Sequence, residues 1–400
     1  MADTDGIQDD EIQTEVTIKE EYELWRKNCR YMYEFVAETA LTWPSLTIQW
    51  LPDHVDEEGV INSRLLLGTH TSGEDTNYLK LANTQLPSNK SVKANTRLKI
   101  IKKFENNFEI NRARYMPQQP EIVATINGGG EIDLYNLEGS TDDSKLSFSH
   151  FTPHSENGYG LAWSPHSKGL LLTASDDKSV VITDTNNGGT TSIFRSTNDH
   201  QQIVNDAKWH SFDSNLFASV SDDKYTILFD ARTIDPVSRY YGADEINCLS
   251  FSTFSHNLLA IGGTNSNINL LDMRKMSDKT GLKAGLLHSM MGHSDAITSL
   301  EFSPHNDGVL ASGSQDRRLI IWDLFKVGEE QQQEDAEDGC PELYMMHAGH
   351  TGAVTDLSWC PYKPWTLASV ADDNLVHVWE VGQSILNADK QEDLNDDDLE

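Results

Sequence analysis

The sequence has little of what several classes of protein require. Its 400 residues include four cysteines, Cys29, Cys248, Cys340 and Cys360, and no two of them are spaced as a C-x-x-C pair. We therefore expect free thiols in a reducing compartment and no disulfide framework. No run reaches the roughly 18 consecutive apolar residues of a membrane span, and no signal peptide precedes the acidic N-terminus. A soluble, intracellular protein is expected.

Basic residues are scarce as well. The chain has 31 Lys and Arg against 63 Asp and Glu, which gives a formal net charge of −32 at pH 7. This charge argues against recognition of nucleic acid through its phosphates and favours a basic partner. For the acidic chain ends, over 1–16 and 383–400, a purely solubilising role is an equal alternative. We predict that 1–16 is disordered and that 383–400 is a short helix with an acidic tail.

A pattern of histidine, serine, aspartate and tryptophan repeats along the chain. Its clearest copy places a His nine residues before an aromatic anchor, and a Ser, an Asp and a Trp ten, fourteen and twenty residues after it: His293, Phe302, Ser312, Asp316 and Trp322. The last copy keeps the same spacing: His350, Trp359, Ser369, Asp373 and Trp379. Looser copies follow four earlier anchors, Tyr115, Trp163, Trp209 and Phe251.

Two strands joined by a tight turn would bring each Ser, Asp and His together with the indole N–H. Buried polar groups need such partners, since each unpaired group costs roughly 1–3 kcal/mol. This tetrad, with Trp322-Asp323 and Gly292-His293, resembles the WD-repeat family, whose repeats form four-stranded propeller blades. We read residues 41–104 as a further, divergent blade. The prediction is an all-β, seven-bladed WD-repeat β-propeller over 40–382, with an N-terminal α-helix on its side and a short C-terminal helix. Residues near Leu41–Ser45 are expected to close the ring.

An amphipathic helix is predicted over 17–39, with Thr17 as N-cap and Glu20 as its capping-box partner. One apolar stripe is expected to pack on the propeller: Ile18, Tyr22, Trp25, Cys29, Met32 and Val36. A second stripe lies beside it: Leu24, Asn28, Tyr31 and Phe35. The residues alone leave two interpretations of this second stripe, a wider core contact or an exposed face for a partner helix.

An acidic insertion over 326–342 interrupts the repeats. Glu329–Glu342 holds seven acids and no base, and apolar residues follow at 343–346. A polar loop would need only the acids, whereas acids beside methionines suit a basic amphipathic helix. Part of the apolar run is expected to be core.

Several segments together resemble one branch of the WD-repeat proteins, the retinoblastoma-binding-protein-like histone chaperones. They are the N-terminal helix, LTWPSLTIQWLP at 41–52, NRARYMP at 111–117 and the acidic insertion. The resemblance extends from about residue 20 to 386. It implies that the first helix of histone H4 lies between the N-terminal helix and the insertion. The implied groove residues are Tyr31, Phe35, Met345 and Ile385, with Glu334, Asp335 and Asp338 pairing the basic side chains of H4.

The resemblance also implies that the histone H3 tail binds the top face, over the central channel. The residues expected there stand four or six positions before an anchor: Glu109, Asn111, Asn157, Tyr159, Asn205, Glu245 and Asn247. This set is less acidic than the family pattern, so we expect weaker tail binding.

No nucleophile–base pair, metal cluster or cofactor loop stands apart from the repeat frame. We therefore expect no catalysis, no cofactor and no metal, with the repeat histidines serving as structural hydrogen-bonding groups. The resemblance implies a nuclear and cytoplasmic subunit that presents newly made H4 to the separate catalytic subunit of a type B histone acetyltransferase, without direct contact to nucleic acid or membrane. The alternatives are a histone-binding scaffold of chromatin-assembly or deacetylase and remodelling complexes, and a general WD-repeat adaptor.

Overall fold

The computed structural model describes residues 4–89, 91–139, 147–186, 191–233, 235–277, 284–331 and 339–387, with side chains from residue 16 onward. Its strands form seven antiparallel sheets of four strands each. The innermost strand of each sheet contacts the innermost strand of the next, and the seventh contacts the first. The predicted seven-bladed propeller is confirmed.

The blades follow one another along the chain. Blade 1 contains β2 (Ile48–Glu57), β3 (Val60–Leu67), β4 (Asn77–Pro87) and β5 (Lys99–Asn106). Blade 2 contains β6 (Ile110–Met116), β7 (Gln119–Asn127), β8 (Ile132–Asn136) and β9 (Ser149–Phe151). Blade 3 contains β10 (Gly158–Trp163), β11 (Leu170–Ser175), β12 (Val180–Asp184) and β13 (Thr191–Ser196). Blade 4 contains β14 (Val204–Trp209), β15 (Leu216–Ser221), β16 (Tyr225–Asp230) and β17 (Ser238–Tyr241).

The remaining blades complete the ring. Blade 5 contains β18 (Ile246–Phe251), β19 (Leu258–Gly263), β20 (Ile268–Asp272) and β21 (Leu286–Met290). Blade 6 contains β22 (Ile297–Phe302), β23 (Val309–Ser314), β24 (Leu319–Asp323) and β25 (Leu343–His347). Blade 7 contains β26 (Val354–Trp359), β27 (Thr366–Ala371), β28 (Leu375–Val381) and, from the N-terminus, β1 (Tyr33–Ala40). Outside the sheets lie helices α1 (Thr4–Met32) and α2 (Gln383–Leu386), and short 3₁₀ turns at Met273–Lys275 and Leu324–Lys326. No described helix is long and apolar enough to cross a membrane.

The N-terminal segment corrects three predictions. Helix α1 begins at Thr4 and ends at Met32, so the predicted span of 17–39 and the cap at Thr17 were wrong, as was the disordered start. Residues 33–40 instead form β1, which pairs antiparallel with β28 and closes blade 7. The segment expected to close the ring, Leu41–Ser45, is the link to blade 1, and the Leu41 amide donates to the Asn374 carbonyl at 2.7 Å. Pairing with β28 outweighs the helical periodicity, because tertiary contacts override local propensity.

The repeat tetrad is complete in blade 6 and altered in blade 7. In blade 6 the ring nitrogens of His293 lie 2.9 Å from Asp316 and 2.7 Å from Ser312, and the Trp322 indole donates to Ser312 at 2.8 Å. In blade 7 His350 contacts Asp373 and Ser369 as predicted, at 3.1 and 2.9 Å. The Trp379 indole nitrogen has no partner among the described residues, which corrects the prediction for that blade. Its ring is stacked on His347 instead, with centroids 4.6 Å apart.

Candidate functional site

Helix α1 is anchored across the seam between blades 6 and 7 by one buried tryptophan. The Trp25 indole donates to the Tyr33 hydroxyl at 2.9 Å, and that hydroxyl lies 2.8 Å from Nδ1 of His347. The Trp25 ring also stacks on His377 at 5.8 Å. A Cβ on Gly349 would come within 2.6 Å of the indole, so this close approach requires glycine. These contacts fix the position and the rotation of α1.

Beneath Trp25 lies a histidine cluster that the sequence analysis missed. Donor atoms of His347, His350 and His377 all lie within 4.8 Å of one another, and His347 Nε2 is 3.0 Å from His377 Nδ1. Burial lowers the pKa of His347 and His377 well below 6.5, and the nearby His350 lowers both further. The two rings are therefore neutral at pH 7. Both nitrogens of His350 already contact tetrad partners, so the cluster acts as a polar core under α1.

Helix α2 holds the C-terminal end of α1. The Ser384 hydroxyl donates to the Tyr31 carbonyl at 2.7 Å, and the Gly382 amide donates to the Met32 carbonyl at 2.8 Å. At the next contact, the Tyr344 hydroxyl donates to the Ile385 carbonyl at 3.5 Å. The end of α1, α2 and strand β25 therefore form one continuous surface.

The outward side of α1 carries exposed apolar residues. Val16, Leu24 and Tyr31 are 50%, 60% and 61% exposed, and their spacing of eight and seven residues places them on one side of the helix. Phe325, at the start of the acidic insertion, is 70% exposed. The neighbouring Lys326 amine lies 5.8 Å from the Tyr344 ring. We call the surface formed by Leu24, Tyr31, Ile385, Tyr344 and Phe325 the outer groove. An exposed face therefore exists, as the partner-helix interpretation requires.

The predicted H4-groove residues are only partly brought together. Tyr31 and Ile385 lie in the outer groove, but Met345 is buried in the core. Phe35 lies on β1 and packs toward blade 1, with the Lys363 amine 5.8 Å from its ring. Its placement on the helix was wrong, because side chains alternate along a strand and Val36 faces α1 instead. Glu334, Asp335 and Asp338 lie outside the described residues. Leu24, Tyr344 and Phe325 were missed as groove residues, although Leu24 belonged to the second stripe.

The residues four positions before each anchor meet at one mouth of the central channel. One from each blade lines the same cavity of about 390 Å³: Leu46, Asn111, Tyr159, Asn205, Asn247, Thr298 and Thr355. In six blades the strand register shifts at this residue. A β-bulge turns a side chain away from the ladder, which explains why these residues point into the channel mouth.

Most of the predicted top-face residues take part in this ring or border it. Asn111 donates to Asn157 at 2.6 Å, and Asn157 donates to the Tyr159 hydroxyl at 2.6 Å. Glu245 accepts a hydrogen bond from Thr264 at 3.2 Å, and Glu109 lies beside Gly128. The amides of Asn205 and Asn247 each donate to a backbone carbonyl of the next blade, at 2.9 Å. These two side chains join neighbouring blades, so only part of their hydrogen-bonding capacity is left for a ligand.

Charged residues line the channel below the mouth. Arg112 pairs with Asp206 at 2.6 Å, and Arg114 pairs with Asp356 at 3.0 Å, in a cavity of about 310 Å³. Burial raises the pKa of the Glu301 carboxyl to about 7. Burial also raises the pKa of the Cys248 thiol to about 12, which makes it a poor nucleophile at neutral pH.

Comparison with known proteins agrees with both the fold and the helix–groove arrangement. Residues 20–88 match the family model that describes the histone-binding protein RBBP4 or a component of the CAF1 complex. Residues 145–184, 284–323 and 342–380 match the WD domain, G-beta repeat. The protein is thus a WD-repeat propeller with a histone H4-binding domain at its N-terminus.

Proteins named histone acetyltransferase type B subunit 2 resemble the chain over nearly its whole length. The one from Debaryomyces hansenii is 67% identical over 100% of this chain and 99% of its own length. The one from Candida albicans is 62% identical over 94% and 96%, respectively. The one from Candida glabrata is 40% identical over 96% and 94%. The chain belongs to the histone acetyltransferase type B subunit 2 family.

Proposed function

We propose that this protein is the non-catalytic, histone-binding subunit of a type B histone acetyltransferase. It would hold the first helix of histone H4 in the outer groove and present newly made H4 to a separate catalytic subunit. The observation that carries this proposal is the division of α1 into two sides. Buried Trp25 anchors one side, and exposed Leu24 and Tyr31 remain on the other, next to α2 and the acidic insertion.

The chemistry of the groove suits a basic amphipathic helix. The exposed apolar residues offer a surface for the apolar stripe of such a helix. The seven acids of 329–342 supply carboxylates for its Lys and Arg residues, and the net charge of −32 favours its approach. Holding the substrate beside the enzyme raises its effective concentration, so the chain needs no chemistry of its own.

The proposed role extends to a second histone contact and to the place where the protein acts. The H3 tail would bind the channel mouth, where Asn111 and Tyr159 border the cavity and Glu109 and Glu245 lie at its rim. We expect this binding to be weak, because several amides there already join blades. The protein would work in both nucleus and cytoplasm. The acetyltransferase catalytic subunit, H4 and H3 would be its partners, with no cofactor.

The test is calorimetric titration with a peptide of the first helix of H4. We expect micromolar or tighter binding, and a loss of at least about tenfold when Leu24→Ala and Tyr31→Ala are combined. Ile193→Ala, an exposed apolar residue on blade 3, is the matched control and should bind as the parent protein does. Asp335→Lys with Asp338→Lys should also weaken binding, more so at low salt. Absence of binding by the parent protein would refute the proposal.

A histone-binding scaffold for chromatin assembly is the second candidate, because the matched family model also describes a component of the CAF1 complex. Reconstitution separates the two candidates. If the chain serves the acetyltransferase, adding it to the purified type B catalytic subunit should increase the rate of H4 acetylation at low substrate concentration. The Leu24→Ala and Tyr31→Ala variant should not. A general adaptor would bind the H4 peptide no better than a scrambled peptide of equal charge.

A further inference from the structure

The few basic residues of this acidic protein are concentrated in one blade. Residues 76–104 contain seven of the 31 Lys and Arg residues and no Asp or Glu. The structure places this stretch on β4, on β5 and on the connection between them. Strand β5 is the outermost strand of blade 1, in the order β2-β3-β4-β5. The concentration of positive charge therefore lies at a sheet edge.

The exposed residues of β5 are two lysines with one apolar residue between them. Lys99, Ile101 and Lys103 are exposed, whereas Phe104 is buried in the core of the blade. Ile101 has no partner on β4, because the register between the two strands shifts there. Within the described part of the chain, neither lysine forms an ion pair with a carboxylate. The edge is therefore positively charged and open.

A further lysine makes this charge costly to the fold. Lys103 pairs directly across the ladder with Lys80, which is mostly buried. Burial lowers the pKa of Lys80, and the adjacent Lys103 lowers it further. Like charges directly opposite one another destabilise a sheet. Such local conflicts are expected at functional positions, where a partner relieves them.

We propose that β5 is a docking edge for an acidic protein segment, which adds to blade 1 as a further, extended strand. Acidic side chains of that segment lie next to Lys99 and Lys103, and an apolar side chain lies next to Ile101. Strand addition uses the unpaired backbone groups of the edge for affinity and the side chains along it for specificity. Histones are basic and are repelled by this edge, so the partner is a different protein from the proposed cargo.

Two features favour a peptide over nucleic acid. An extended peptide can pair with the backbone N–H and C=O groups of β5, and a sugar–phosphate backbone cannot do so in register. The net charge of −32 also repels a long polyanion, whereas a short segment stays within the roughly 10 Å over which the local lysines dominate. Lysines at an edge also keep two copies of the same strand apart. That role is compatible with docking, because copies of β5 repel each other while an acidic strand is attracted.

The start of β5 offers room for one more acidic side chain. Arg97 and Lys99 line a polar surface cavity of about 380 Å³, together with Arg64. Arg64 is held by Asp53 at 2.6 Å, whereas Arg97 forms no ion pair within the described residues. An acidic group entering this cavity would meet two cations that are not neutralised.

The test uses a fluorescein-labelled peptide built on the repeat Glu-Thr-Val-Thr-Glu, titrated with the full-length protein and followed by fluorescence anisotropy. We expect saturable binding that weakens with salt and falls about tenfold in Lys99→Glu with Lys103→Glu. Lys168→Glu with Lys275→Glu makes the same charge change at exposed positions on other blades and should leave binding unchanged. Lys99→Gln with Lys103→Gln repeats the test with a milder change if the reversal does not fold.

Four outcomes would overturn the proposal. They are absence of binding, an equal loss in the control pair, unchanged binding of a probe whose backbone nitrogens are methylated, and preferential binding of duplex DNA at the same edge. The H4 peptide should bind the Lys99 and Lys103 variants as it binds the parent protein. Loss of both interactions together would indicate a damaged fold, and circular dichroism identifies that case.

Discussion

Replacement of Trp25 by alanine should separate α1 from the propeller while leaving the ring closed. Trp25 is 5% exposed, donates to Tyr33 and stacks on His377, so the variant loses one large buried side chain and one hydrogen bond. Truncation of a buried aromatic to alanine costs about 3–5 kcal/mol. The ladder between β1 and β28 is untouched by this change.

The same change made in two steps tells packing from hydrogen bonding. Trp25→Phe keeps an aromatic ring but removes the indole donor, which should cost about 1 kcal/mol, because the Tyr33 hydroxyl keeps its contact with His347. We therefore expect a small effect for phenylalanine and a large one for alanine. Tyr241→Ala, which removes a largely exposed aromatic residue on blade 4, serves as the control.

Hydrogen exchange read by mass spectrometry is the assay, combined with H4-peptide titration. In Trp25→Ala we expect faster exchange over α1, unchanged exchange over β26 and β27, and at least about tenfold weaker peptide binding. Unchanged exchange over α1 would refute the claim that Trp25 anchors the helix. Faster exchange with undiminished peptide binding would instead show that α1 is not a wall of the H4 site.

Three further predictions follow from the buried polar groups. Because burial lowers the pKa of His347 and His377 in the folded protein, the unfolded chain binds more protons, so the free energy of unfolding should fall as pH drops below about 6.5; urea unfolding at several pH values measures this. Ser312→Ala should destabilise by about 1 kcal/mol more than Ser369→Ala in the same assay, since Ser312 contacts both a histidine and an indole whereas Ser369 contacts only a histidine. Glu301→Gln should stabilise the protein at pH 8 and not at pH 5, because burial raises the pKa of this carboxyl to about 7 and its ionised form costs stability as pH rises from about 4.5 through 7; equal thermal unfolding of the two proteins at pH 8 would contradict this.

The ring could be predicted because its signal repeats. Each tetrad joins residues within one blade, so a spacing of ten, fourteen and twenty residues is visible along the sequence. The channel mouth was within reach for the same reason, since a bulge at a constant distance from the anchor aims one side chain per blade at the axis. The histidine cluster was not, because His347 and His377 come from strands of different blades and no spacing links them.

The boundary between α1 and β1 shows how one local error propagates. Apolar residues at 29, 32 and 36 continue the helical period, while the segment from Tyr33 to Ala40 also suits a strand, and sequence alone does not choose between them. The choice is made by β28, which lacks an outer partner until the N-terminal segment pairs with it. Carrying the helix too far placed Phe35 in the groove, although the strand turns it toward blade 1.

This arrangement also couples the groove to closure of the ring. Met32 ends α1 and Tyr33 begins β1, so the wall of the outer groove and the strand that completes blade 7 are one continuous segment. The Tyr33 hydroxyl joins them physically, since it contacts Trp25 of the helix and His347 of the neighbouring blade. A ligand that binds only the docked form of α1 stabilises that form by mass action. Occupancy of the groove should therefore slow hydrogen exchange in β1 and β28 as well as in α1, and opening of blade 7 should weaken the ligand by the same factor.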